Sequence, residues 1–372
     1  MKNILFVHSS SELYGSDRSL LNIVKHIDKK KYSIYVILPC PGPLADEMKK
    51  IRGVQVEIYE VAVLRRKNLS LKGGIQYLKE FIVSYKYLKK FIREKRIDLV
   101  DTNTAVVFPG AIAAKHCKIK SIWHIREIIK SNIENRVVSF MMNHYSDFII
   151  ANSKATGKAL RVNQEKIQIV YNAVEEKTDS ICCNAHGRKI VGMAGRINRW
   201  KGQKLFVDAA EIVHKAMPDI VFEIAGEAYA GEEYLKEDLR RYIKEKKLQE
   251  TVLLLGQVNN MEKFYADLDI FVLPSIQPEP FGLVVIEAME YGIPVIATNH
   301  GGPTEIITEG KDGFLVDYHK PDQMAECILR LMADEGKRKQ MGMEGRKKKR
   351  EYFSVCAMAG KIETVFERAL NQ

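Results

Sequence analysis

No stretch of the 372-residue chain approaches the ~18 consecutive apolar residues needed to cross a bilayer. The opening Met1-Lys-Asn-Ile-Leu-Phe-Val-His8 runs out of apolar residues too soon for a signal-peptide core and reads as a first strand. Cysteine is sparse: the six, at positions 40, 117, 182, 183, 327 and 356, show no C-x-x-C spacing, which argues against a disulfide framework or a zinc site and fits a reducing cytoplasm. Asp267 and Asp269 read as structural and no His/Cys cluster has ligand spacing, so neither a metal nor another cofactor is expected. The G-x-G-x-x-G fingerprint is missing too, which counts against a dinucleotide-dependent dehydrogenase.

What is present is an alternation of short apolar runs with helical periodicity, the pattern of parallel sheets covered by helices. The first series holds strands at Ile4–Val7, Tyr32–Leu38, Val54–Ile58, Leu99–Thr102, Ser121–His124, Phe148–Ala151 and Ile167–Val170. Periodicity lapses between Asn172 and Arg188, and a second series starts at Ile190–Ala194. The expected layout is a Rossmann-like domain over 1–172, a linker over 173–188 containing Cys182-Cys183, a second such domain over 189–352 and a final helix over 353–372. The basic run Lys337 to Arg350 reads as a solvated helical surface.

Open α/β sheets bind ligands beyond the carboxyl ends of their strands, so the loops after strands call for the closest reading. Val191-Gly-Met-Ala-Gly195 is an apolar strand ending in glycine, followed by Arg196 and Lys201, two cations around a turn that suit a diphosphate. After the strand Ile270–Leu273 comes Glu279-Pro-Phe-Gly-Leu-Val-Val-Ile-Glu287 and then Gly301-Gly-Pro-Thr-Glu305. A helix opening behind Phe281 aims the N–H groups of Gly282, Leu283 and Val284 at an anion. Glu279 and Glu287, eight positions apart, can grip hydroxyls at the two ends of a sugar nucleotide. Gly226 and Val258 follow further strands and are candidates for the nucleotide pocket, and Gly15 opens the first helix as a phosphate-approaching turn would.

Taken together, Gly-Arg-x4-Lys-Gly, Glu-x-Phe-Gly-x4-Glu and Gly-Gly-x-x-Glu resemble the donor site of retaining glycosyltransferases of family four, group 1 type. The resemblance implies the GT-B fold of two facing Rossmann-like domains with a cleft between them, and a last helix that crosses back to the first domain. It further implies transfer of a hexosyl group from a UDP- or GDP-sugar to a glycan or lipid-linked hydroxyl in cell-surface polysaccharide or glycolipid synthesis. On this pattern Arg196 and Lys201 neutralise the diphosphate, Glu279 contacts the transferred sugar and Glu287 holds the ribose. His124, at the end of the fifth strand, matches a sugar-contacting histidine. Ile125 and Arg126 intervene before Glu127, where the family commonly has an acid next to that histidine, which makes Arg126 a candidate acceptor contact. A nucleotide-sugar epimerase, or a non-catalytic partner subunit of the same fold, is the alternative.

The net charge of +11 is clustered. Lys72 to Arg96 carries eight basic and two acidic side chains among apolar residues recurring every three or four positions, so an amphipathic helix with a basic outer face is expected. With Arg65 and Arg66 ahead of it, Lys86, Lys89, Lys90 and Arg93 are candidates for contact with an anionic membrane surface, as a peripheral protein on the inner face of the cell membrane. No nucleic-acid motif accompanies the charge.

Overall fold

The computed structural model describes residues 1–65, 68, 70–177 and 187–371. Arg66, Cys182-Cys183 and the middle of the expected linker lie outside these. The chain forms two compact units, Met1–Ala173 with Val355–Gln372, and Val174–Ser354.

Unit 1 runs β1 (Lys2–Val7), α1 (Gly15–His26), β2 (Tyr32–Leu38), α2 (Pro43–Lys49), β3 (Val54–Ile58), α3 (Leu71–Glu94), β4 (Leu99–Asn103), α4 (Pro109–His116), β5 (Lys120–Ile125), α5 (Asn132–Tyr145), β6 (Phe148–Ala151), α6 (Lys154–Ala159) and β7 (Ile167–Ile169). Its strands are parallel, in the order β3-β2-β1-β4-β5-β6-β7, so the topology switches direction between β1 and β4. Strands buried on both faces read as nearly continuous apolar runs. Alternation along β1 divides its side chains: Ile4 and Phe6 join one core layer, Leu5 and Val7 the other.

Unit 2 contains β8 (Lys189–Ala194), α7 (Gln203–Ala216), β9 (Ile220–Ala225), α8 (Tyr234–Glu245), β10 (Val252–Gly256), α9 (Met261–Asp267), β11 (Ile270–Leu273), α10 (Leu283–Glu290), β12 (Val295–Thr298), α11 (Pro303–Ile306), β13 (Gly313–Val316), α12 (Pro321–Ala333) and α13 (Glu335–Tyr352). The sheet order β10-β9-β8-β11-β12-β13 puts its switch point between β8 and β11. The last helix, α14 (Val355–Asn371), belongs to unit 1, where the Phe366 ring packs 6.1 Å from Phe6 and 5.9 Å from Tyr32.

Two surface expectations are corrected. The run Lys337 to Arg350 is helical but not a wholly solvated face: Lys349 is fully buried, its Nζ 2.6 Å from Glu290 Oε2, with Arg350 and Arg346 3.1 and 3.7 Å from Oε1 of the same carboxylate. One buried carboxylate offsets the desolvation of the lysine, and Glu290 also accepts the Lys177 N–H at 2.9 Å. On α3, Ile75, Leu78 and Ile82 do not face the core but are exposed. The sheet needs only the arc bearing Tyr77, Phe81, Tyr85 and Leu88, and the apolar arc of the helix is wider than that.

Candidate functional site

In unit 2 the candidate residues gather at the carboxyl edge of the sheet, around its switch point. After Ala194 the chain turns through Gly195, and the Asn198 side chain accepts the N–H groups of Trp200 at 3.0 Å and Lys201 at 2.9 Å. Such an Asx turn is the local reason for the loop shape. The buried Gln203 side chain donates to the Arg196 carbonyl at 3.0 Å and closes the loop from the helix side. Gly226, with φ +145°, leaves room for this loop: a Cβ there would lie 2.1 Å from the Gly195 carbonyl oxygen.

Lys201 Nζ reaches 2.7 Å from Glu279 Oε2, and Ser275 Oγ donates to the same oxygen at 3.0 Å. Both charged side chains are mostly buried, so the pair is electrostatically stronger than a surface one. The Glu279 backbone is pinned by a bridge to Gly301 and by the Gly302 N–H at 2.7 Å from its carbonyl. Gly301, φ +72°, permits this approach, since a Cβ would lie 2.3 Å from that carbonyl oxygen. Immediately afterwards α10 opens, with Gly282 at its N-cap and the N–H groups of Leu283 and Val284 in its first turn. Glu287 is one turn in, half-buried, and accepts the Tyr265 hydroxyl at 2.7 Å. The Arg196 guanidinium lies over the Tyr229 ring, 3.4 Å from its centroid. Val258 is half-buried in the loop after β10.

The structure thus joins Lys201 to Glu279 directly, although the roles expected of them lie on separate parts of the ligand. Phe281, also a candidate donor-site residue, has its ring buried against Phe353, with centroids 5.9 Å apart. Ser275, Gln203 and Tyr265 join the site from outside the motifs, and Asn198 from an unspecified position inside Gly-Arg-x4-Lys-Gly. Of these Ser275 carries a sequence signal, because it stands two residues beyond a strand's carboxyl end. Asp267 and Asp269 form an Asp-x-Asp, but Asp269 receives the Ile190 N–H at 2.9 Å and Arg338 at 3.2 Å, a structural role. Among the described residues no group of three or more His, Cys, Asp or Glu is placed to hold a metal ion.

Gly15, His124 and Arg126 lie in unit 1. Gly15 is exposed at the start of α1. His124 ends β5 as a buried ring, its Nδ1 3.7 Å from Asp101 Oδ2, too far for a hydrogen bond. Burial, then the neighbouring Arg126 charge, lowers its pKa from 6.5 to about 4, so the imidazole is neutral at pH 7. Arg126, the candidate acceptor contact, is buried, donating from Nε to Ser19 Oγ at 3.2 Å and from Nη1 to Asn103 Oδ1 at 2.6 Å. Burial lowers its pKa to about 10. Asn103 donates in turn to Asp101 Oδ1 at 2.8 Å, and His8 Nε2 lies 2.7 Å from Asp17 Oδ1. This polar network sits at the switch point of the first sheet, beneath the expected ligand edge. Of the basic residues expected at a membrane surface, Arg65, Lys86, Lys90 and Arg93 are exposed and Lys89 is half-buried over the Tyr85 ring.

Two Rossmann-like parallel-sheet units, with a phosphate-suited glycine turn and carboxylates at the edge of the second, define the GT-B class of protein. Residues 14–178 match Glycosyltransferase Family 4 and residues 178–348 match Glycosyl transferases group 1. The chain belongs to this glycosyltransferase family. It is 30% identical over 191 residues to spore coat protein SA of Bacillus subtilis, a match covering 49% of this chain and only 50% of that protein. To the UDP-Gal:alpha-D-GlcNAc-diphosphoundecaprenol alpha-1,3-galactosyltransferase of Escherichia coli it is 27% identical, over 87% of this chain and 86% of that one. The fold superposes with a TM-score of 0.83 on the crystal structure of Anabaena Alr3699/HepE in complex with UDP and glucose, at 24% identity over 99% of this chain and 100% of the other.

Proposed function

We propose that the protein is a retaining, metal-independent glycosyltransferase. It moves a hexose from a UDP- or GDP-sugar to a hydroxyl of a glycan or lipid-linked acceptor, in the synthesis of a cell-surface polysaccharide or glycolipid. The Lys201–Glu279 ion pair beside the N-terminus of α10 carries this assignment. A cation suited to a diphosphate 2.7 Å from a carboxylate suited to sugar hydroxyls supports one sugar nucleotide as the ligand of both. The relatives support the substrate class: the Escherichia coli protein is a galactosyltransferase acting on a diphosphoundecaprenol-linked sugar, and the Anabaena protein is seen with UDP and glucose.

In this reading the bond from the anomeric carbon to the diphosphate breaks while the acceptor hydroxyl approaches from the same face. Negative charge grows on the departing phosphate. Arg196, Lys201 and the N–H groups of Gly282 to Val284 answer that charge, which is typically the largest catalytic contribution. The departing phosphate takes the acceptor's proton, so no dedicated base is required. Glu279, fixed by Ser275 and by the Gly301 bridge, orients the transferred sugar, and Glu287 holds the ribose.

A thermal-shift screen against UDP-, GDP-, ADP- and CMP-sugars tests the donor. A ligand at 100 times its dissociation constant stabilises the folded state by about 2.7 kcal/mol. Proton NMR of the first product then reads the anomeric configuration, and EDTA should leave the rate unchanged. No stabilisation by any of the sugar nucleotides, or a product of inverted configuration, defeats the proposal.

A further inference from the structure

Helices α3 and α5 cover the same face of the first sheet: Tyr77, Phe81 and Tyr85 of α3 and Val138 and Met142 of α5 belong to one core layer. Their outer faces carry apolar side chains that no core residue covers. On α3, Ile75, Leu78 and Ile82 are 54%, 58% and 44% exposed, at the i, i+3, i+7 positions of one stripe. On α5, Ile133, Val137 and Phe140 are 78%, 46% and 65% exposed, at i, i+4, i+7. Scattered apolar residues on a surface are ordinary, but two helical stripes on one face of one sheet are not.

The charges that share the outward arc of the α3 stripe are of one sign, whereas the α5 stripe is flanked by the exposed Glu134 as well as Arg136. Lys72, Lys79 and Lys86 are exposed and share the arc of Ile75 and Ile82 at helical spacing, while Glu80 falls well to its side. Beside the α5 stripe stand the exposed Arg136 and His144, the latter stacked 6.0 Å from Phe140. Apolar side chains interleaved with lysine, at low overall hydrophobicity, are the chemistry of a helix lying in a bilayer interface, its apolar residues among the acyl chains and its cations at the headgroups. A water-facing surface would have no use for the apolar stripes, and a dimer contact would bring the lysines of both copies together.

We infer that the α3–α5 face is a membrane-docking surface that enters the interface of an anionic bilayer through Ile75, Leu78, Ile82, Ile133, Val137 and Phe140, the basic residues supplying the lipid selectivity. This rests on the reading of a lipid-linked acceptor and deepens it, replacing a purely electrostatic patch by an inserting one. The distinction is measurable, because charge contacts are screened by salt and apolar insertion is not.

Flotation with vesicles of neutral phosphatidylcholine, and with vesicles containing a third phosphatidylglycerol, is the test, in 0.1 and 1 M NaCl. The intact protein should float with the anionic vesicles and retain a substantial bound fraction in 1 M NaCl. Replacing Ile75, Leu78 and Ile82 by Gln, or Ile133, Val137 and Phe140 by Gln, should each weaken binding about tenfold or more in both salts. An unaltered unit 1 transition in differential scanning calorimetry shows that the variants are folded. Should they not fold, Phe140→Trp and Ile82→Trp replace them: brominated lipid must quench the added fluorescence of both. Complete release by 1 M NaCl, wild-type binding by the Gln variants, absence of quenching, or a dimer that buries this face overturns the inference. Transfer to a short water-soluble acceptor reports the catalytic reading separately, and is unaffected by loss of docking.

Discussion

Single side chains set the chemistry. Because Arg196 and Lys201 are assigned to charge that appears on the leaving phosphate, Arg196→Ala or Lys201→Ala should lower kcat by roughly 10² to 10³-fold, the effect of losing one transition-state donor. Glu287→Ala should instead raise the donor KM with kcat nearly unchanged, since ribose contacts are shared by ground and transition states. A steady-state comparison of the three variants distinguishes the roles. Acid stability reads the buried histidine. With its pKa lowered from 6.5 to about 4 in the fold, His124 stays neutral there while the unfolded chain takes up a proton below pH 6.5. Its contribution is complete above 6.5 and is lost as pH falls towards 4. The stability of the wild type against denaturant should therefore fall as pH drops across that window, by up to about 3 kcal/mol from this residue at 1.36 kcal/mol per unit, and His124→Gln should flatten part of the slope.

At the scale of elements, α10 is the piece that joins stability to the site. Its N-terminus presents Gly282 to Val284, and its last residue, Glu290, is the buried partner of Lys349 on α13. Glu290→Gln leaves Lys349 buried without a counter-charge, and breaking such a pair by removing one member costs about 3 to 5 kcal/mol. The expected outcome is a large fall in denaturant midpoint at unchanged m-value. Replacing Glu290 and Lys349 together by Leu and Met should recover much of it, because a well-packed apolar pair avoids the desolvation of both charges.

The whole molecule folds as two units, one of them discontinuous in sequence. Unit 1 is completed by α14, which arrives after all of unit 2 and places Phe366 against Phe6 and Tyr32. Ending the chain after Ser354 should destabilise unit 1 far more than unit 2, although the deleted residues adjoin unit 2 in sequence. Differential scanning calorimetry of the full chain should resolve two transitions, of which UDP or GDP raises the one belonging to unit 2. In the truncated chain that transition should persist and the other should fall or vanish.

Alternating strand and helix patterns set the elements through residue order alone, because period 2 and period 3.6 burial are written directly in it. Strands such as Tyr32–Leu38, Val54–Ile58 and Ile270–Leu273 need no tertiary information to be seen. The short α9 and α11 are not legible this way, since one or two turns carry too little periodicity to separate from a loop. The glycine–arginine turn and the two glutamates are legible as a group because strand ends and helix starts order ligand-binding loops in this fold class. Distances are not legible. Sequence order cannot say that Lys201 and Glu279, 78 positions apart, meet at 2.7 Å, that Arg126 turns inward to Ser19 and Asn103, or that Lys349 is buried while its neighbours in a basic run are not. Nor does the periodicity of α3 and α14 say which arc a sheet covers. Burial depends on what the rest of the chain brings alongside, and only the packed structure settles which apolar stripe becomes core and which is left facing outward.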